Sequence, residues 1–176
     1  MSETNTGKGS RSVSRRTVLG SAAAAAFSVV PAHVLGGTDG TAPSDQLNIA
    51  GVGVGNRGRT DLSHCQTENI VALCDVDKKY AAETFKQYPK ARTFTDYRRM
   101  FDKMGGDIDA VVVATPDHSH AAVTMAAMDL GLHVYCEKPL THTVWEARQV
   151  KRKAEKTGVV TQMGNQGHSR EGTRLI

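Results

Sequence analysis

The segment GVGVGNRGRTDL carries three glycines, Gly53, Gly55 and Gly58, at the spacing G-x-G-x-x-G. That spacing alone is weak evidence, because three glycines fall into it by chance in many chains. An apolar run over residues 47–52 leads into the segment, and a helical pattern over residues 58–66 follows it. In such a unit the first glycine permits a tight turn, the second lets a pyrophosphate approach the main chain, and the third lets the helix pack on the strand.

An acidic residue after the second predicted strand, residues 70–74, is the second mark of a dinucleotide site. Asp75 follows Gly53 by 22 positions, and its carboxylate can accept hydrogen bonds from the adenosine ribose hydroxyls. The same carboxylate would repel a 2′-phosphate, which favours NAD over NADP. Arg57 and Arg59 reduce this preference, since either guanidinium can counter a phosphate. The alternative is a glycine-rich turn in an α/β domain that binds no cofactor.

Two further polar loops follow apolar runs of strand length. Thr115 opens the loop TPDHSH after residues 108–114, and Glu137 opens the loop EKP after residues 133–136. Because the carboxyl ends of parallel strands meet at one edge of a sheet, we expect both loops to lie beside the glycine segment.

Apolar runs alternate with amphipathic segments from residue 46 onward. We predict strands at residues 47–52, 70–74, 92–94, 108–114, 133–136 and 159–163, and helices at residues 58–66, 78–88, 97–104, 119–130 and 143–158. This alternation predicts parallel βαβ units with both sheet faces covered. The expected fold is therefore a Rossmann-type doubly wound parallel sheet of about six strands.

The histidines and cysteines do not predict a metal site. The chain has seven histidines and three cysteines, and the cysteines lack zinc-ligand spacing. No H-x-x-x-H pair occurs, and His118 and His120 would diverge by about 200° on a helix. We therefore expect no bound metal.

The N-terminal residues have the features of an export signal. Arg15 and Arg16 precede an uncharged run at residues 18–30 that contains five consecutive alanines. This pattern resembles a twin-arginine signal, which hands folded proteins to the Tat translocon. A membrane anchor is the alternative, but thirteen uncharged residues are short of the about 20 that span a bilayer core. We expect a signal at residues 1–35, a linker at residues 36–45, and a periplasmic or extracellular location.

Most of the net charge of +4 belongs to this N-terminal segment. Residues 1–32 hold four of the 22 basic residues and one of the 18 acidic residues, which leaves the remainder at +1. Such a balance gives no reason to expect a nucleic-acid partner.

The runs GVGVGNRGRTDL and VVVATPDHSHAAVTMAAMDLGLHVYCEKPL resemble the Gfo/Idh/MocA family of NAD(P)-dependent oxidoreductases. The combination of A-T-P, G-x-H-V and E-K-P is far more specific than the glycine spacing. The resemblance covers residues 46–176 and implies an NAD(P)-binding Rossmann domain there. The tail THTVWEARQVKRKAEKTGVVTQMGNQGHS resembles an exported branch of the family that often carries a Tat signal.

The resemblance also implies roles for individual residues. Lys138 would lie near the nicotinamide and the reacting hydroxyl, and His120 is the second catalytic candidate. Both have plainer readings, as a solvated loop lysine and as a residue at a helix start. The expected cofactor-binding residues are Gly53, Gly55, Asn56, Arg57, Gly58, Asp75, Thr115, Pro116, His118, Glu137, Asn165 and Gln166.

The family reaction is hydride transfer between a sugar or polyol carbon and nicotinamide. Full-length members homo-oligomerise, and their second α/β domain binds most of the substrate and supplies a catalytic His or Asp. The chain ends at Ile176, so we expect a truncated chain that lacks this domain and forms the NAD-binding half. Its expected partners are a dinucleotide and a sugar-like small molecule. The alternatives are an NAD-dependent glycoside hydrolase, which works by transient oxidation and elimination, and a non-catalytic remnant.

Overall fold

The computed structural model describes residues 45–169 and 171–175. The predicted signal peptide and nearly all of the predicted linker lie outside the described residues. Within the described ranges, no helix is long and apolar enough to cross a membrane.

The described residues build a six-stranded sheet in which all paired strands are parallel. Its strands are β1 (Asn48–Val52), β2 (Asn69–Cys74), β3 (Arg92–Phe94), β4 (Ala110–Val113), β5 (His133–Glu137) and β6 (Thr161–Gly164). Their spatial order is β3-β2-β1-β4-β5-β6. This is the order of a doubly wound Rossmann sheet, so the predicted fold class is confirmed.

Helices connect the strands and cover the sheet. They are α1 (Arg57–Ser63), α2 (Ala82–Gln87), α3 (Tyr97–Met104), α4 (His120–Asp129), α5 (Val144–Thr157) and α6 (Glu171–Arg174). Short 3₁₀ turns at Gly105–Asp107, Asp117–Ser119 and Gln166–Ser169 lie between them.

The core has one layer on each side of the sheet, because successive strand residues point to opposite faces. Helices α3, α4 and α5 bury Met100, Met128 and Val150 on one face. Helix α1 buries Leu62 on the other face, against Leu73 of β2. The two layers hold the sheet from both sides and so keep the carboxyl ends of its strands in place.

The second helix begins later than the sequence predicts, at Ala82 instead of residue 78. Asp77 explains the difference, since its carboxylate accepts the N–H groups of Lys79 and Tyr80 at 2.9 and 3.0 Å. An aspartate bonded in this way holds the chain in a turn. Asp77 therefore caps the turn that precedes α2 and not the helix itself.

The predicted start of α5 is confirmed in detail. The Thr143 hydroxyl accepts the N–H of Glu146, and the Glu146 carboxylate accepts the N–H of Thr143, which is a capping box. The helix ends at Gly158, whose φ of 70° is left-handed. Strand β6 then begins at Thr161, two residues later than predicted, and the N–H of the preceding Val160 donates to Nδ1 of His133.

The chain reverses its direction of winding between β1 and β4. Open parallel sheets bind ligands at this switch point, outside the carboxyl ends of the strands. The glycine segment follows β1 and the TPDHSH loop follows β4, so both face the same crevice.

Candidate functional site

A cavity of about 780 Å³ opens at the carboxyl ends of β1, β2 and β4. This volume is within the range of about 300–1,000 Å³ that is usual for small-molecule sites. Of the residues predicted from the sequence, its wall includes Gly53, Gly55, Asn56, Arg57, Asp75, Thr115, Pro116 and His118. We call it the crevice cavity.

Sequence reasoning missed several polar and aromatic side chains of this wall. They are Asp77, Tyr80, Thr95, Asp96, Tyr97, Arg98 and Ser119. Four of them, at residues 95–98, follow β3, whose carboxyl end also meets this edge of the sheet. The polar and aromatic run directly after the predicted strand at residues 92–94 is the signal that could have found these four.

The glycine loop is shaped by close contacts of the main chain. Gly53 has a φ of +79°, and a Cβ there would lie 2.6 Å from the amide nitrogen of Thr115. At Gly58 a Cβ would collide with the carbonyl oxygen of Gly53. The missing side chains therefore let α1 and the TPDHSH loop approach the glycine loop directly.

Gly55 has a different neighbour from the one predicted. A Cβ there would meet the aromatic ring of Tyr80, which is itself largely exposed. An exposed side chain of this kind can move, so the contact does not close the main chain of the loop to a ligand.

Asp75 is buried at the end of β2 and bonds the glycine loop. Its Oδ2 accepts the N–H of Val54 at 2.9 Å, and its Oδ1 accepts the N–H of Asp77 at 2.9 Å. The carboxylate also lines the crevice cavity. A carboxylate has about four acceptor positions, so two remain for hydroxyl groups of a ligand.

The hydroxyl of Thr115 supports the fit of a polar ligand to this cavity. Its Oγ1 is buried and has no hydrogen-bond partner among the described residues. Buried hydroxyls are rarely left without a partner in folded proteins. A bare glycine loop, a carboxylate with spare acceptor positions and an unpaired hydroxyl together suit a dinucleotide.

Arg57 joins the glycine-loop side of the site to the EKP loop. Its Nη2 contacts Glu137 Oε1 at 3.0 Å and Asp61 Oδ1 at 2.7 Å. Glu137 Oε1 also accepts hydrogen bonds from the Tyr135 hydroxyl, at 3.1 Å, and from the Gln166 amide. We call these five residues the Glu137 cluster.

The Glu137 cluster changes what three predicted cofactor residues can do. The guanidinium of Arg57 is paired with two carboxylates, which reduces its capacity to counter a phosphate. The side chains of Glu137 and Gln166 are bonded to each other and do not form part of the crevice cavity wall. Their contact with a cofactor stays a prediction.

A second cavity, of about 690 Å³, lies beside the Glu137 cluster on the α1 side of the sheet. Arg57, Asp61, Tyr135 and Gln166 contribute to its wall. The rest of the wall comes from residues of β1, β4, β5 and β6, from Val160 before β6, and from α1 and the two residues after it.

The two carboxyl groups of the cluster have opposite pKa shifts. Burial by itself raises the pKa of Glu137, but hydrogen bonds from Gln166, Arg57 and Tyr135 outweigh it and lower the pKa. Burial raises the pKa of Asp61 to about 6, and the negative charge of Glu137 adds to this effect. Arg57 opposes the shift only in part, and Asp61 Oδ2 has no hydrogen-bond partner in the described part of the chain.

The two predicted catalytic residues have very different surroundings. Lys138 is exposed, and the peptide bond between it and Pro139 is cis. His120 is 1% exposed, and both ring nitrogens lie against main-chain carbonyl oxygens, those of Pro139 and Thr115. Both ring nitrogens are thus taken by main-chain carbonyl groups in this structure, and the catalytic role of His120 stays a prediction.

The remaining predicted residues are also placed. His118 is exposed on the wall of the crevice cavity. Asn165 directly follows β6 and is half-buried, and its N–H donates to the Met163 carbonyl. Among the described residues, no group of three or more His, Cys, Asp or Glu side chains could hold a metal ion.

Comparison with known families gives a match that covers most of the chain. Residues 47–165 match the sequence model of a family described as "Oxidoreductase family, NAD-binding Rossmann fold". The matched range begins one residue before β1 and ends just after β6.

Individual proteins are also similar to part of this chain. A glycosyl hydrolase family 109 protein of Shewanella pealeana is 32% identical over 123 residues, which are 64% of this chain and 27% of that protein. A 4-carboxy-2-hydroxymuconate-6-semialdehyde dehydrogenase of Sphingobium is 30% identical over 121 residues, 68% of this chain and 38% of that protein. The crystal structure of myo-inositol 2-dehydrogenase from Lactobacillus plantarum superimposes with a TM-score of 0.67 at 27% identity, covering 74% of this chain and 39% of that one. The chain thus spans less than half the length of these proteins.

The raised pKa of Asp61 gives the fold a pH dependence of defined sign. Its pKa rises from 3.8 to about 6 on folding, so the folded state binds this proton more tightly than the unfolded chain. The stability contributed by the tighter binding of this proton is fully present below about pH 4 and is lost as the pH rises through about 6. The side chain of Asp61→Asn cannot ionise, so its free energy of unfolding should not fall in this way. We expect its stability relative to the wild type to increase by on the order of 1–2 kcal/mol between about pH 4 and about pH 7.

Urea unfolding of both proteins across this pH range measures the difference. Asp102→Asn is the matched control, because it removes an exposed aspartate of α3 and should show no comparable gain. A difference between wild type and Asp61→Asn that is constant with pH would contradict the pKa assigned to Asp61.

Proposed function

The chain belongs to the oxidoreductase family with an NAD-binding Rossmann fold, and we propose that it is the cofactor-binding half of an oxidoreductase. Its substrate would be an alcohol of the sugar or polyol class. The observation that carries the cofactor part is the glycine loop, whose close main-chain contacts adjoin a crevice cavity that includes Asp75. The substrate class rests on the resemblance and on the similarity to an inositol dehydrogenase.

Different residues around the crevice cavity would bind different parts of the cofactor. The main chain at Gly53 and Gly55 would bind the pyrophosphate, where no side chain separates it from the peptide N–H groups. Asp75 would accept the hydroxyls of the adenosine ribose. Thr115 and Pro116 would lie along the nicotinamide half, with the unpaired Thr115 hydroxyl as a donor.

Lys138 is the group proposed to act on the substrate. When bound, the nicotinamide supplies the hydride chemistry. The Lys138 amine would take the proton of the substrate hydroxyl or, in its charged form, stabilise the negative charge that develops on that oxygen. The remainder of the substrate would contact parts of a longer protein, since the relatives are more than twice as long as the match.

We infer a preference for NAD over NADP from the charges at this edge of the sheet. Asp75 would repel a 2′-phosphate, and Arg57 is already paired with two carboxylates. Arg98 lies on the cavity wall, but its guanidinium stacks over Tyr97 at 4.8 Å and is 3.6 Å from the carboxylate of Asp96. No cation of the described cavity wall is therefore free of a neighbouring anion.

A second candidate function is NAD-dependent glycoside hydrolysis. The observation in its favour is the 32% identity with a glycosyl hydrolase family 109 protein. Such a reaction would oxidise the sugar transiently, eliminate the aglycone and return the hydride, so it would leave no net redox change. The cofactor site would be the same in both cases.

Export through the Tat translocon is part of the proposal on the strength of the sequence. The paired Arg15 and Arg16 precede an uncharged run of signal length. NAD is made in the cytoplasm, and a protein that leaves with it bound must fold first. The mature protein would then be periplasmic or extracellular.

Cofactor binding is tested at Gly58. A Cβ at this position must push α1 away from the Gly53 carbonyl, and overpacking of this kind costs about 1–3 kcal/mol. We expect Gly58→Ala to weaken NADH binding by roughly tenfold or more, measured by NADH fluorescence, with a lower melting temperature. Gly106→Ala is the control, since nothing lies within 4 Å of its Cβ. Failure of the wild-type chain to bind NADH would overturn the proposed function and favour a non-catalytic remnant.

Asp75 is tested by the ratio of NAD to NADP affinity. We expect the wild type to bind NAD more tightly, and Asp75→Ala to bring the two dissociation constants closer, because the repulsion of the 2′-phosphate is removed. The ratio is the appropriate measure, since loss of the hydrogen bonds from Asp75 to Val54 and Asp77 would weaken the binding of both cofactors alike. Equal affinities in the wild type, determined by calorimetry, would remove the role given to Asp75.

The two candidate reactions differ in their products. Incubation of the protein with NAD and a series of sugar alcohols should produce NADH if it is an oxidoreductase. Release of the aglycone from aryl glycosides, with no net NADH, would favour the hydrolase. In either case Lys138→Met should reduce turnover by roughly 100-fold or more, as loss of an acid–base group does. Lys156→Met, at the exposed end of α5, is the control.

A further inference from the structure

The ring of His120 is held by two main-chain carbonyl groups from different loops. Its Nδ1 lies 2.6 Å from the Pro139 oxygen, and its Nε2 lies 2.7 Å from the Thr115 oxygen. These loops follow β5 and β4, which are neighbouring strands. His120 thus connects the EKP loop to the TPDHSH loop from its place at the start of α4.

Two carbonyl partners require two N–H donors on the ring. A carbonyl oxygen only accepts hydrogen bonds, and a neutral imidazole has one N–H and one bare nitrogen. In the neutral form one nitrogen lone pair would face a carbonyl lone pair at a hydrogen-bond distance, which is repulsive. Both bonds can be present together only when the ring is protonated at Nδ1 and Nε2.

The surroundings of the ring determine the cost of that charge. The side chain is almost fully buried, and no carboxylate among the described residues lies within ion-pair distance of it. The titratable group that faces it is the Cys136 thiol of β5. Burial by itself lowers the pKa of His120, but the neighbouring Cys136 and the carbonyl groups of Pro139 and Thr115 raise it to about 9.

We propose that His120 is a buried imidazolium that clamps the TPDHSH loop to the EKP loop and thereby positions Lys138. Glu137, on one side of Lys138, is bonded to Arg57, and Pro139, on the other side, is bonded to His120. The main chain of Lys138 is therefore anchored at both neighbours while its side chain is exposed. The charge on His120 does not depend on the proposed function. The positioning of a catalytic lysine rests on the proposed function.

Nitrogen NMR tests the charge directly. In the 15N-histidine-labelled chain, the long-range 1H–15N spectrum at about pH 7 should contain one ring with both nitrogens at the shift of protonated nitrogen. His133 provides an internal reference, because its Nδ1 accepts the N–H of Val160 and must be a bare nitrogen. His120→Gln should remove the signals of the doubly protonated ring. A His120 ring with one bare nitrogen at this pH would overturn the proposal.

The assignment does not depend on folding of the His120 variant. If His120→Gln fails to fold, replacing each of the six other histidines by Gln in turn assigns their rings and leaves His120 by elimination. These are His33, His64, His118, His133, His142 and His168, and the five that the structure describes have exposed side chains. Cys136→Ala separates the contribution of the thiol, and the doubly protonated ring should persist in it at about pH 7.

The clamp is tested by following Lys138 as His120 loses its proton. The main-chain amide of Lys138 should shift with the same midpoint as the His120 ring, at about pH 9, whereas the amide of Gly106 should not. An amide of Lys138 that ignores the titration of His120 would overturn the positioning role. Neither outcome affects NADH binding by the wild type, so failure of the clamp is distinguishable from failure of the proposed function.

Discussion

The absence of a side chain at Gly58 is the constraint on which the cofactor crevice depends. Any Cβ there would strike the carbonyl oxygen of Gly53, so the first turn of α1 lies directly on the glycine loop. Gly53 in turn approaches the main chain of Thr115 at the end of β4. These contacts place three chain segments side by side at the switch point of the sheet, where a ligand can reach main-chain N–H groups.

Three side chains connect the segments of the site to one another through hydrogen bonds. Asp75 bonds the glycine loop to the end of β2, Arg57 bonds α1 to Glu137, and His120 bonds the loops after β4 and β5. Each of these side chains is anchored to a helix or to the end of a strand. The polar groups that remain unpaired, such as the Thr115 hydroxyl, are consequently held in defined positions.

The fold could be predicted because its signals are local. The alternation of strand and helix patterns, the glycine spacing and the capping box at Thr143 each depend on residues close in sequence. The Glu137 cluster could not be predicted in this way, since Arg57 and Glu137 are 80 positions apart and their pairing depends on the order of the strands. The same holds for His120, where sequence alone offered a catalytic role and the structure places both nitrogens against carbonyl oxygens.

The ion pair between Arg57 and Glu137 has an energetic consequence for the site as a whole. Arg57 begins the helix that follows the glycine loop, and Glu137 is covalently joined to Lys138. A displacement of one of these segments would therefore be felt by the other through the ion pair. Free-energy coupling between two binding events is reciprocal. Any effect of a dinucleotide on the glycine loop on the affinity for an alcohol beside Lys138 would therefore be matched by an equal effect of the alcohol on the affinity for the dinucleotide.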